Sequence, residues 1–117
     1  ELRKKIHLEQ SRERELEMAD LLNIVKAHYV RQIAKKVKSQ WRYQGAQDNW
    51  GCDVAILQDA DGEVQSVSVQ SCNVPYLAKK KAFKDAIERA VYKASPLPKP
   101  PTESVFDSEI LLHFKVN

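Results

Sequence analysis

Two alternating, β-branched runs, Cys52-Asp53-Val54-Ala55-Ile56-Leu57 and Val64-Gln65-Ser66-Val67-Ser68-Val69, flank the segment Asp59-Ala60-Asp61-Gly62. Asp-Gly between such runs is a strong hairpin signal, because the tight turn needs positive φ and Asp and Gly tolerate it. Reading Asp61-Gly62 as a two-residue turn sets Ala60 opposite Glu63, Ile56 opposite Val67 and Val54 opposite Val69. One face of the hairpin is then apolar, as the pleat requires. A chain of 117 residues has room for one core, so the remaining elements must cover that face.

Two helices are available to do so. From Asp20, a plausible N-cap, Leu22, Val25, Tyr29, Val30, Ile33, Val37 and Trp41 recur at intervals of three and four with lysines and Arg31 between them. This spacing predicts an amphipathic helix of about five turns, ended by the polar loop Gln44 to Asn49. The second is expected to open at Asn73-Val74-Pro75, with proline in the first turn where no N–H is missed. Its apolar stripe is Leu77, Ala82, Phe83, Ala86, Ile87, Ala90, Val91 and Ala94. Ser95-Pro96-Leu97-Pro98-Lys99-Pro100-Pro101 stops it and crosses onward as a stiff connector. After a short turn around Ser104 to Phe106, Ile110, Leu112, Phe114 and Val116 alternate with Leu111, His113 and Lys115 as a terminal strand.

The expected fold class is therefore α+β, a three-stranded antiparallel sheet packed on two helices in the order α-β-β-α-β. Residues 1–20 stand apart. Their large apolar side chains are only Leu2, Ile6, Leu8, Leu16 and Met18, too few for a continuous stripe, while Glu, Arg, Lys and Gln favour helix, with Glu9, Glu13 and Arg14 at pairing distances. They read as a charged helical stalk before a domain spanning 21–117. The chain opens without an initiator Met or an apolar signal region and is expected to be a segment of a longer protein. No run approaches the roughly 18 apolar residues of a membrane span.

Charge is distributed in blocks. Residues 21–49 carry 6 basic and 1 acidic side chains, residues 50–73 carry none and 4, and residues 74–102 carry 7 and 2. Cationic helical faces should thus flank a mildly anionic sheet. Lys35, Lys36, Lys38 and Lys79, Lys80, Lys81, Lys84 could be nucleic-acid patches, yet no aromatic or Arg is interleaved among them, so they are read as solvated helix faces and no nucleic-acid partner is expected. His7, His28 and His113 have no ligand at zinc spacing, and the segment from Asp59 to Gly62 lacks the later ligands of a calcium loop. There is no phosphate loop, serine elbow or stranded carboxylate pair. No catalytic residue, metal, cofactor or small-molecule substrate is expected, and the chain is not read as an enzyme. Trp41, Tyr43 and Trp50 flank the loop after the first helix and either seal the core edge or anchor an interface.

Cys52 and Cys72 lie at the same end of the hairpin. The register sets Cys52 opposite Ser71, so a small bend would bring Cys72 within reach of a disulfide. The alternative is two buried free thiols. The bridge is the reading adopted, and with it an oxidising compartment.

Cys52 opening the first strand, Asp61-Gly62 at the turn, Cys72 after the second strand, the Ala-rich helix from Ala82 to Ala94, Pro96 to Pro101 and the terminal Phe114 together resemble the C-terminal periplasmic domains of the TolA/TonB C-terminal-like family. The resemblance covers about residues 22–117, and the stalk looks like the end of a TolA-type helical spacer. The chain ends Lys115-Val116-Asn117 where many relatives carry a proline. The resemblance implies a non-catalytic adaptor of a Tol-Pal envelope-integrity system, in the periplasm of a Gram-negative bacterium. An inner-membrane anchor outside this chain would couple it to TolQ and TolR. TolB-like proteins and the Pal system would be its partners, and filamentous-phage minor coat proteins and colicins would exploit the same domain.

The physics leads to a similar expectation. A three-stranded sheet has two edges and too little chain to cover both, so a partner can add a strand. Ile110, Leu111, Leu112, His113, Phe114, Lys115 and Val116 form the expected receptor strand, and Val64 to Val69 would serve if the strand order differs. Two rivals remain: a TonB-like transducer engaging outer-membrane transporters, and a basic α+β RNA-binding module, which steep salt dependence would reveal.

Overall fold

The computed structural model describes residues 2–117, with side chains from Arg12 onward. The elements are α1 (Leu2–Gln40), β1 (Gly51–Gln58), β2 (Val64–Gln70), α2 (Leu77–Lys93), a 3-10 turn at Glu103–Val105 and β3 (Glu109–Lys115). Their order matches the sequence reading. The antiparallel sheet runs β2-β1-β3, with α1 packed over β3 and α2 over β2.

The expected stalk and first helix are one continuous helix. Asp20 lies inside α1 and caps nothing. Strong helix formers carry the helix through a stretch that buries nothing, since residues 12–24 are exposed, and Leu22 belongs to that exposed part. Burial begins with half-buried Val25 and continues through Tyr29, Ile33 and Val37. His7 and the expected pairing of Glu9 lie outside the described side chains.

The hairpin register is as read at Val54↔Val69 and Ile56↔Val67. Its turn differs. Gly62 N–H donates to the Asp59 carbonyl at 3.1 Å and Asp59 N–H to the Glu63 carbonyl at 3.0 Å, so Ala60, Asp61 and Gly62 form a three-residue loop with Gly62 at φ +86°. This is a turn closed by a left-handed glycine. Asp59 Oδ1 accepts the N–H groups of Asp61 and Glu63, both at 2.9 Å, which favours the longer loop over the two-residue one. A bulge at Gln65 then restores the expected register, because Gln58 pairs with Val64 and Leu57 with Ser66.

The second helix begins later than expected. Pro75 lies before it, Tyr76 occupies the N-cap position without a side-chain capping bond, and the first intrahelical bond runs from Lys80 N–H to the Tyr76 carbonyl. Leu77 and Ala82 are exposed rather than part of the stripe, which starts at Phe83 and continues through Ala86, Ile87, Ala90 and Val91. Phe83 is the hub of the core. Its ring meets Trp41, Tyr43, Trp50 and Phe114 at centroid distances of 5.9, 5.6, 5.6 and 6.2 Å, mostly edge to face. The aromatic residues of the loop after α1 therefore seal the core.

Candidate strand-addition site

β1 is central, so β2 and β3 are the two edges. The parity of β3 follows from its hydrogen bonds. Val116 N–H donates to the Trp50 carbonyl at 3.0 Å and Gln58 N–H to the Ser108 carbonyl at 2.9 Å. With the register Cys52↔Phe114, Val54↔Leu112 and Ile56↔Ile110, the even residues of β3 direct their backbone groups into the ladder with β1. Glu109, Leu111, His113 and Lys115 direct theirs outward. Side chains follow the same alternation: Ile110, Leu112 and Phe114 are buried, and their odd neighbours stand on the open face of the sheet. Val116 continues the ladder beyond the strand, half-buried.

β3 runs in register along β1 from Glu109 to Lys115 without a bulge or a proline. The other edge is less regular. β2 carries the bulge near the turn, and its outer side is a groove lined by Val69, Leu77 and the α2 side chains Lys80, Lys81, Lys84 and Glu88. Bulges are a common device for blunting an edge against stray pairing.

The open face beside the β3 edge carries one defined polar pair. His113 Nδ1 lies 2.9 Å from Asp53 Oδ1, the two residues facing each other across β1 and β3. Gly51 makes room for the ring, since a Cβ there would stand 3.1 Å from His113 Nε2 and 2.6 Å from the Phe114 carbonyl. Leu111, Leu57 and Ala55 complete this face, with Leu111 67% exposed. The Asp53–His113 pair was not legible in the sequence, because no turn joins β1 to β3 to set their register.

The strand is fixed at its entry by a small polar cluster. Gln58 Nε2 donates to the Tyr29 hydroxyl at 2.9 Å and to the Asp107 carbonyl at 2.8 Å, while Lys26 Nζ donates to Asp107 Oδ2 at 3.3 Å. Asp107 Oδ1 accepts the Glu109 N–H at 3.1 Å. That backbone bond, followed by the hydrogen bond and charge of Lys26, holds the Asp107 carboxyl below its ordinary value. α1 is thereby tied to both β1 and the start of β3.

Cys52 and Cys72 form a disulfide with Cα atoms 4.1 Å apart. The expected bend is Ser71, at φ +54°, after which Asn73 returns to β1: its Oδ1 accepts the Gly51 N–H at 2.8 Å and its N–H donates to the Gly51 carbonyl. The basic clusters are partly engaged within the fold. Lys36 Nζ donates to the Pro96 carbonyl and Lys79 lies over the Tyr76 ring. His28 shares a 3.5 Å contact with Gln32 on α1. Among the described residues there is no metal-type cluster and no helix long and apolar enough to cross a membrane.

Residues 26–114 match the family model described as TonB C terminal. Two solved structures share the fold. One is TolAIII bound to a peptide derived from the N-terminus of TolB, with TM-score 0.58 and 23% identity, covering 74% of this chain and 70% of the other. Another is the Helicobacter pylori TonB-CTD, residues 194–285, with TM-score 0.54 and 18% identity, covering 74% and 90%. No curated protein sequence matches the chain.

Proposed function

The chain belongs to the TonB C-terminal family, and on that premise we propose that it is a non-catalytic periplasmic interaction domain that binds a TolB-like partner by adding the partner's strand to β3. The observation that carries this reading is the edge of β3: a bulge-free strand whose odd residues present unpaired backbone groups. Strand addition uses such groups as its affinity and the flanking side chains as its specificity. The likeness to a TolAIII domain bound to a TolB peptide supports a TolB-like guest. In this reading the domain ends an inner-membrane-anchored protein that TolQ and TolR drive and that serves the Pal system. Phage coat proteins and colicins would use the same domain.

The likeness to a TonB domain favours a second reading, a transducer that engages outer-membrane transporters. A periplasmic pull-down with the folded domain separates the two by the class of protein captured.

Proline substitutions test the site itself. Leu111→Pro and His113→Pro remove outward N–H groups and should abolish binding of a TolB-type N-terminal peptide at near-native stability. Leu112→Pro removes a bond of the β1–β3 ladder and should lower stability outright. Normal peptide binding by a well-folded Leu111→Pro variant would move the site elsewhere.

A further inference from the structure

Resting on the strand-addition reading, we propose that the β3 edge selects a guest strand of defined charge order: a carboxylate beside Lys115, an apolar side chain beside Leu111, an ammonium or guanidinium beside Glu109, and apolar residues between them facing α1. In either chain direction, guest residues standing opposite Glu109, Leu111, His113 and Lys115 place their side chains on the open face, next to those residues. Asp53 and His113 satisfy one another there, whereas Lys115 and Glu109 enter no ion pair among the described residues. The free charges of the edge are thus positive at one end and negative at the other, about 20 Å apart. Exposed Leu111 lies between them.

The inner side of the guest would meet α1. Tyr29 points to Gln58 at the end of β1, and Lys26, next around the helix, reaches Asp107 before β3. Continuing around the helix in the same sense brings half-buried Val30 and Ala34. They lie on the flank away from Lys36, which faces the connector after α2. That flank forms an apolar shelf beneath the free edge. A guest therefore needs apolar side chains at every second position and the charge order above at the others.

The test uses synthetic strands containing Glu-Val-Ser-Val-Leu-Val-Lys and its reversal, since the charges fix alignment but leave chain direction open. Amide spectra of the domain locate the contact, and titration gives affinity. The better of the two should shift the β3 amides, and exchanging its Glu and Lys should weaken it about fivefold or more, from two exposed charge contacts at the edge. Lys115→Glu should weaken the original peptide and restore affinity to a peptide carrying Lys at that end. Ala34→Glu should weaken all peptides alike. Equal affinity for both charge orders with intact β3 shifts would overturn the charge rule and leave strand addition standing. Shifts absent from β3 for every peptide would overturn both.

Discussion

Gly62 joins two parts of the fold at one backbone position. It holds φ +86°, its carbonyl accepts the Leu97 N–H at 2.8 Å, and a Cβ there would stand 2.8 Å from the Leu97 carbonyl oxygen. The hairpin tip and the proline connector are docked through it. Gly62→Ala should cost at least about 1–3 kcal/mol, from left-handed strain with the clash in addition. A lowered urea midpoint at unchanged slope is the expected signature, and an unchanged midpoint would show that the connector is not docked. Asp107 makes a pH-dependent contribution. Its folded-state carboxyl titrates below the unfolded value of 3.8, so the stabilisation is complete above about pH 4 and disappears as pH falls through the lower folded value. Urea midpoints for the parent domain and Asp107→Asn should therefore converge as pH falls from 6 to 2. A constant gap would mean that the carboxylate's charge is not what Glu109 N–H and Lys26 stabilise.

Among the elements, legibility followed locality. The hairpin pairing could be read because Asp-Gly joins the two strands directly, although a longer loop and a bulge cancel one another in reaching that register. The position of β3 beside β1 could not, since a helix and a proline connector separate them and alternation shows only which face is buried. Both helix starts were misplaced for related reasons. At Asp20 propensity carries α1 past the point where packing stops, and at Pro75 the chain must first return from Ser71 to Gly51 through Asn73 before a helix can begin. The exposure of residues 12–24 predicts that the domain is indifferent to the start of α1. Deleting residues 1–20 should leave the melting temperature within a few degrees, measured by circular dichroism. A larger fall would mean that the first part of the helix packs on the domain.

Among the described residues, two helices cover one face of the sheet, the β2 edge is bulged and flanked by α2, and the β3 edge and the other face are open. Such an architecture fits the proposed strand addition, because the central strand, the disulfide and the aromatic hub at Phe83 brace the β3 edge from within the fold. Legibility of the proposed site was correspondingly partial: the terminal strand and its alternation could be read from the sequence, but its place at a sheet edge and which of its residues turn their backbone groups outward required the β1–β3 pairing. Amide hydrogen exchange resolves this edge residue by residue. In the free domain, Ile110, Leu112 and Phe114 should exchange slowly and Leu111, His113 and Lys115 quickly. On saturation with a TolB-type N-terminal peptide, the amides of Leu111 and His113 should become protected while those of Val67 and Val69 on the β2 edge remain unchanged. Protection gained at Val67 and Val69 instead, or at neither edge, would contradict strand addition to β3.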